Sequence, residues 1–302
     1  MNTKNILAID VGGTKIASAI IKFSENSYKI YDYQKIKTPQ NKKEFIEAIE
    51  EIIKSRLEKH KIKKIGIAIP GQVDSKKGEI IFAPALVYLK KYQIRKILEN
   101  KFKLPVKIGR DMNCCALAES RFGAGRKFHN ILVVTLSTGI GAGIIINDRV
   151  YCGEDGSAGE IGHLTLFPDG IECSCGNKGC LEKYASGRAL EREYFKLTGI
   201  KKTPPEIEEE FKLNKRNNSA RKVVNQASKM LGIGLTSVIN VLNPGIIIVI
   251  GGISRMDGIL DEAQKKIEKN AFITARKTKI IRSKLGDKGV LIGAAMMGDS
   301  DF

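Results

Sequence analysis

One local pattern occurs twice in this chain, and it limits the fold more than any other feature. Asn5–Ile9 is a short apolar strand that stops at Asp10 and the Gly12-Gly13 pair, and apolar residues resume from Ile16. Ile131–Leu136 is a second such strand; it runs into the Gly-rich stretch Ser137–Gly143 and returns at Ile144–Ile146. Each copy reads as strand, glycine-threonine turn, strand. In a chain of 302 residues, two copies of one unit point to two topologically related α/β domains.

Between the copies the periodicities predict ordinary α/β elements. Tyr28–Ile36 alternates and completes an antiparallel meander of three strands. Asn41, with Glu44 three residues on, predicts a helix N-cap. The helix reaches Lys59, with Phe45, Ile46, Ile49, Ile52, Ile53 and Leu57 as its apolar stripe. Ile65–Ile69 predicts a strand closed by Pro70-Gly71, Gln93–Lys101 a helix, Val106–Gly109 a strand and Met112–Phe122 a helix. Asp111 thus falls at the carboxyl end of a strand, where open α/β sheets hold their ligands. Farther on, Ser219–Leu242 predicts a long helix broken by Pro244-Gly245, and Ile246–Ile250 a strand ending at Gly251-Gly252 before a further helix. The polar segment Lys201–Asn218, which contains proline, reads as a surface excursion. The expected division is an N-terminal domain over 1–115, joined by a C-terminal helix within 288–302, and a C-terminal domain over 116–287.

Charge and cysteine bound the setting. Lys and Arg number 51 against 33 acidic residues, a formal +18. Such a field attracts nucleic acid, anionic lipid or an anionic small substrate such as ATP. The lysines are scattered through the whole chain and form no long block, so a composition bias explains them equally well, and no nucleic-acid partner is expected. No apolar run reaches the roughly 18–20 residues that span a bilayer, and Met1–Asp10 has no leader pattern, so no membrane partner is expected. The six cysteines do not read as a disulfide framework in a chain of this length. The expected location is a reducing cytoplasm.

Three constellations carry chemistry. In Asp10-Val-Gly-Gly-Thr-Lys15, the absence of Cβ at Gly12 and Gly13 lets backbone N–H groups approach phosphate oxygens. Thr14 supplies a hydroxyl, Lys15 an ammonium, and Asp10 a carboxylate able to hold Mg²⁺ through water. The second turn, with Thr138 and Gly139, offers the same backbone geometry, and two such loops suit a nucleotide tail. Next, His163, Cys173, Cys175 and Cys180 have nine, one and four residues between them; three thiolates and an imidazole make a closed tetrahedral zinc set, which is structural. Finally, Glu160 precedes His163 by three residues, and with Glu182 it can accept hydrogen bonds beside the second imidazole nitrogen.

These residues resemble the ROK (repressor, open reading frame, kinase) family of sugar kinases. The resemblance runs from Asn5 to about Ala295 and includes Asp10–Lys15, Pro70-Gly71, Asp111–Glu119, Thr138–Gly141, Gly159–His163, Cys173–Glu182, Asn243–Gly245 and Gly251-Gly252. It implies a two-domain, actin-like and hexokinase-like (ribonuclease H-like) ATPase fold, with ATP and sugar in an interdomain cleft. It further implies Asp111 as the general base for the sugar hydroxyl, and Gly12, Gly13, Thr14, Thr138 and Gly139 at the ATP phosphates, with Gly251 and Gly252 near adenosine. Glu160, His163 and Glu182 match the family's contacts to sugar hydroxyls, and Gly71 its backbone lining of the sugar pocket. The implied reaction is phosphorylation of a hexose by ATP with Mg²⁺, glucose to glucose 6-phosphate first. N-acetylmannosamine, N-acetylglucosamine, fructose and allose are alternatives, and a homodimer or higher homo-oligomer is implied. The rivals are a catalytically impaired sugar-binding protein and a sugar-sensing repressor; the latter would need a DNA-binding segment ahead of the strand at Asn5.

One position departs from the family. Where the family carries Asn immediately before the base, this chain has Arg110. Asn offers a donor and an acceptor on a short arm, whereas Arg offers only donors on a long charged one. Arg110 is therefore expected to pair with Asp111, to point elsewhere, or to recognise a different sugar; a cation beside Asp111 would lower its basicity.

Overall fold

The computed structural model describes residues 5–213 and 218–298. Its strands are β1 (Asn5–Val11), β2 (Lys15–Ser24), β3 (Ser27–Lys37), β4 (Ile62–Ile69), β5 (Gln72–Asp74), β6 (Glu79–Phe82), β7 (Val106–Arg110), β8 (Ile131–Leu136), β9 (Ile140–Ile146), β10 (Arg149–Tyr151), β11 (Ile246–Ile250) and β12 (Lys279–Arg282). Its helices are α1 (Lys42–Lys59), α2 (Ile94–Phe102), α3 (Asp111–Phe122), α4 (Glu182–Ala185), α5 (Gly187–Thr198), α6 (Pro204–Leu213), α7 (Ser219–Leu242), α8 (Asp261–Asn270) and α9 (Gly289–Gly298). They form two compact units. The first takes residues 5–126, 149–158 and 287–298, and the second residues 127–148, 159–213 and 218–286.

In the first unit the sheet order is β3-β2-β1-β4-β7, with β1–β3 the antiparallel meander and β4 and β7 parallel to β1. Successive side chains of a strand face opposite ways, and both faces of β1 and β4 are covered. Leu7, Ile9, Ile65 and Ile67 pack with Phe45, Ile49 and Ile53 of α1. That helix starts as its sequence predicts, with Asn41 Oδ1 accepting from the Glu44 N–H at 3.0 Å, a cap that stabilises by about 1 kcal/mol. The opposite face receives α9. A Cβ on Gly66 would collide with the carbonyl of Ala294, and one on Gly293 with the carbonyl of Cys114. Backbone thus lies on backbone, and Leu291, Ile292, Ala294 and Ala295 are buried.

The second unit repeats this plan in the order β9-β8-β11-β12. Strands β8 and β9 form an antiparallel hairpin, and β11 and β12 are parallel to β8 and β11. This matches β2-β1-β4-β7 strand for strand, so the repeated sequence pattern is a repeated topology. Helix α7 is capped by Asn218, whose Oδ1 accepts from the Arg221 N–H at 2.8 Å, and it ends on Asn243 in the left-handed conformation.

Several expectations are corrected. The first unit continues past residue 115 to include all of α3, because that helix packs along α9, with Cys114 against Gly293 and Met297. The Gly-rich turn is shorter than Ser137–Gly143: Gly141 and Gly143 pair with Thr135 and Val133 in β9, leaving Ser137–Gly139 between the strands. Lys201–Asn218 is not wholly an excursion, since it contains α6, which buries Ile207 and Phe211; its residues 214–217 lie outside the described residues. The helix expected after β11 is present as α8, reached through a single turn of 3₁₀ helix and a loop. Among the described residues, no helix is long and apolar enough to cross a membrane.

Candidate active site

The first unit holds eight of the expected residues, in or beside the ends of β1, β4 and β7. Asp10, near the end of β1, lies in register with Ala17 of β2, which is in register with Lys35 of β3. Burial, then the nearby carboxylates of Asp111 and Asp287, push Asp10 up to about 7, and the Lys35 ammonium opposes this. Gly12–Thr14 is the turn to β2. It is closed by the Gly12 N–H donating to Lys15 O at 2.9 Å. Thr38 braces it from outside, its N–H donating to Thr14 O at 3.0 Å and its hydroxyl to Gly12 O at 2.7 Å. Lys15 is exposed.

Asp111 begins α3 where β7 ends, and its Oδ1 accepts from the Met112 N–H at 2.7 Å. That bond fixes the carboxylate at the helix N-terminus, where the backbone dipoles favour an anion. Arg110 is only 6% exposed, and its Nη1 donates to Ala158 O at 2.7 Å. Of the three roles open to it in sequence, the structure shows a guanidinium engaged with a backbone carbonyl. Gly71 has φ +104°, and a Cβ there would collide with Phe82 O, so the bend after β4 requires glycine.

The second unit holds Thr138 and Gly139 in the turn between β8 and β9. The Ser137 N–H donates to Gly139 O at 3.0 Å, the Gly187 N–H to Ser137 O at 2.8 Å, and the Ile140 N–H to Glu182 Oε2 at 2.9 Å. Gly251, φ +93°, ends β11 with no room for a Cβ against Leu136 O. A cavity of about 260 Å³ opens beside this turn, lined by Thr138, Pro204, Glu208, Gly252, Ile253 and Met256 among others. Thr138 and Gly252 are legible in sequence. Pro204 and Glu208 are not, since α6 carries too few apolar residues to show a helical period.

His163, Cys173, Cys175 and Cys180 come together, with one ligand atom from each lying within 4.8 Å of the others. Cys173 Sγ is 3.7 Å from His163 Nδ1, and Cys175 Sγ is 3.6 Å from Cys180 Sγ. The loop is tied by the Cys173 N–H donating to Asn177 O at 2.8 Å and the Gly176 N–H to Cys173 O at 3.0 Å. The Asn177 N–H helps hold the Cys175 thiol below its usual range, whereas burial and neighbouring thiols push Cys180 up to about 12. Neighbouring thiolates repel one another, and a cation held among them relieves that repulsion. Three sulfurs and one imidazole fit the tetrahedral preference of zinc. His163 Nε2 faces away from the sulfurs, 3.9 Å from Glu160 Oε2.

The sequence profile of the ROK family matches residues 6–300. The chain belongs to the ROK family. Over 95% of its length it is 32% identical to an N-acetyl-D-glucosamine kinase of Histophilus somni, covering 97% of that protein. Over 84% it is 35% identical to a putative xylose repressor of a Caldicellulosiruptor species, covering 67% of that protein. A ROK family glucokinase from Streptomyces griseus, solved in complex with glucose and AMPPNP, superimposes with a TM-score of 0.83 at 30% identity, over 97% of this chain and 99% of the other. The repeated hairpin-and-parallel-strand sheets are thus the actin-like, hexokinase-like fold of the ROK kinases. ROK membership does not by itself choose among sugars, and the three relatives differ in what their names say they act on.

Proposed function

We propose that this ROK protein is a sugar kinase that transfers the terminal phosphoryl group of ATP to a hexose hydroxyl, glucose first among its substrates. The observation that carries the reading is Asp111, whose carboxylate is fixed at the end of a parallel strand and belongs to one electrostatic group with Asp10 of the Gly-Gly-Thr turn. Asp111 accepts the proton of the attacking hydroxyl. In a loose phosphoryl transition state this transfer comes late, so a carboxylate of ordinary basicity suffices if it is positioned. Gly12, Gly13, Thr14, Lys15, Thr138 and Gly139 are the residues we assign to the phosphates. Asp10 is the side chain toward which the Mg²⁺ of ATP would be held, supplying charge neutralisation. Gly251 and Gly252 lie toward adenosine, whose base suits the 260 Å³ cavity. Gly71, Glu160, His163 and Glu182 face the sugar, while the Arg110 guanidinium, given to the sugar by the resemblance, is engaged by Ala158 O. His163, Cys173, Cys175 and Cys180 hold a structural zinc.

A coupled assay with ATP and a panel of glucose, mannose, allose, fructose and the two N-acetylated amino sugars tests this. Turnover of at least one sugar, with the phosphate on a hydroxyl, is the expected result. Sugar binding without turnover of any of them would make the protein a sugar-binding regulator.

A further inference from the structure

Both outside attachments of the turn Ser137–Gly139 come from one short stretch, the residues that follow the last cysteine of the metal cluster. The Gly187 N–H donates to Ser137 O, and Glu182 Oε2 accepts from the Ile140 N–H, at 2.8 and 2.9 Å. The turn is therefore gripped at its first residue and immediately after its last. The carboxylate also lies directly against Gly139, where a Cβ would collide with Oε2.

The backbone that carries Glu182 is itself fixed. Cys180 and Leu181 are fully buried, and the Leu181 N–H donates to Leu164 O at 2.8 Å. The side chain of Leu181 fills the space over Gly234 of α7, where a Cβ would stand 2.7 Å from it. Glu182 then opens α4, two residues beyond Cys180. Its carboxylate projects from a rigid corner rather than from a loop.

As an anion, Glu182 is a poor direct ligand for phosphate. Its contribution to donor binding must pass through the peptide it holds. Left alone, a three-residue turn closed by one internal hydrogen bond samples many shapes, and ordering each residue costs about 1–2 kcal/mol. A hydrogen bond from a backbone N–H to a carboxylate is stronger than a neutral one, and here it removes that cost before the ligand arrives. Building on the kinase reading, we propose that Glu182 is a positioning residue for the phosphoryl donor: through Oε2 it holds the Ile140 N–H, and with it the Thr138-Gly139 turn, in the shape the phosphates meet. Its other oxygen, Oε1, serves the sugar hydroxyl assigned to it above, so one carboxylate stands at both substrates.

Calorimetric titration of the full chain with Mg-AMPPNP, without sugar, tests the assignment. Glu182→Ala weakens nucleotide binding about tenfold, the worth of one charge-assisted hydrogen bond. Glu182→Gln, whose amide oxygen can still accept from Ile140, stays within about threefold of wild type while losing sugar affinity. Gly139→Ala displaces the carboxylate from the other side and costs wild type about tenfold, yet it changes Glu182→Ala by less than about twofold. Normal nucleotide affinity in both Glu182→Ala and Gly139→Ala, or fully additive losses in the double variant, would overturn the assignment and confine Glu182 to the sugar. If Glu182→Ala loses its cooperative melt, Gly139→Ala and Glu182→Gln decide the question between them. Wild type that binds no nucleotide would instead overturn the kinase reading itself.

Discussion

The turns Gly12–Thr14 and Ser137–Gly139 have the same length and join equivalent strands of two sheets with the same order, yet they are built differently. One residue before the end of the first strand, the first copy has Asp10 opposite Ala17, and the second has Thr135 opposite Gly141. A half-buried carboxylate in one copy thus corresponds to a hydroxyl in the other. The bracing differs as well. Thr38, from the segment that follows β3, holds the first turn with one hydroxyl and one N–H. A carboxylate and an N–H from a distant helix start hold the second. The repeated topology determines where the two turns stand; what they do depends on the side chains placed around them. Charge is gathered at the first, and shape is imposed on the second.

The largest test of that division is Asp111→Asn. If proton removal belongs to the first unit alone, kcat falls by about 10²–10⁴, the usual worth of a positioned base, while calorimetric affinity for Mg-AMPPNP stays within about threefold. Loss of nucleotide affinity on the same scale as kcat would break the comparison.

Metal loss acts on the second turn. One zinc per chain is expected from elemental analysis, and Cys175→Ser should lower stability on the order of several kcal/mol, a part of what structural zinc supplies on folding. Because Glu182 follows Cys180 so closely, nucleotide affinity should fall with it. Zinc-free protein that melts like the purified protein would leave the cysteine cluster without a structural role.

Asp10 sharpens the contrast through pH. Its folded value of about 7 lies above the ordinary 3.8, so the folded state holds a proton that the unfolded state has lost. Stability from this group is complete below pH 4 and declines as pH rises toward 7. Asp10→Asn removes the cost, so the ligand-free variant should gain on the order of 2–3 kcal/mol over wild type between pH 4 and pH 8, part of the shift being screened at the partly exposed edge. Denaturant melts at the two pH values measure it; an equal difference at both would mean that Asp10 titrates normally.

Arg110→Asn is the smallest effect on chemistry. With its guanidinium engaged by Ala158 O, the substitution should cost about 1–3 kcal/mol of stability and leave the order of kcat/KM across glucose, mannose, allose and the N-acetylated sugars unchanged. A reordering would show that the guanidinium also reads the sugar.

What was legible in the sequence is what local patterns dictate. The cap at Asn41, the limits of α7 and the wholly apolar β11 follow from capping chemistry and periodicity within a single segment. The cysteine spacing likewise anticipates that His163, Cys173, Cys175 and Cys180 lie together, because glycines at 176 and 179 turn the loop within a few residues. Helix α6 has no such local signal, because Ile207 and Phe211 are its only buried apolar residues among four glutamates and one lysine. Gly141 and Gly143 look like turn residues, and only pairing with Thr135 and Val133 makes them strand. The grip of Glu182 on Ile140, the commitment of Arg110 to Ala158 and the burial of Arg56 against Asp32 and Gln34 join residues far apart in the chain, and no local signal announces them.

The contact of α9 with β4 has a consequence for biosynthesis. Gly66 and Gly293 admit the helix backbone directly onto the sheet and α3, so the first unit lacks one of its faces until residues 289–298 have been made. By then the ribosome has already delivered all of the second unit. Domains ordinarily mature in the order of their synthesis; here the unit that is begun first is finished last. While it waits, its sheet carries an uncovered apolar face, one that nascent-chain chaperones are suited to shield.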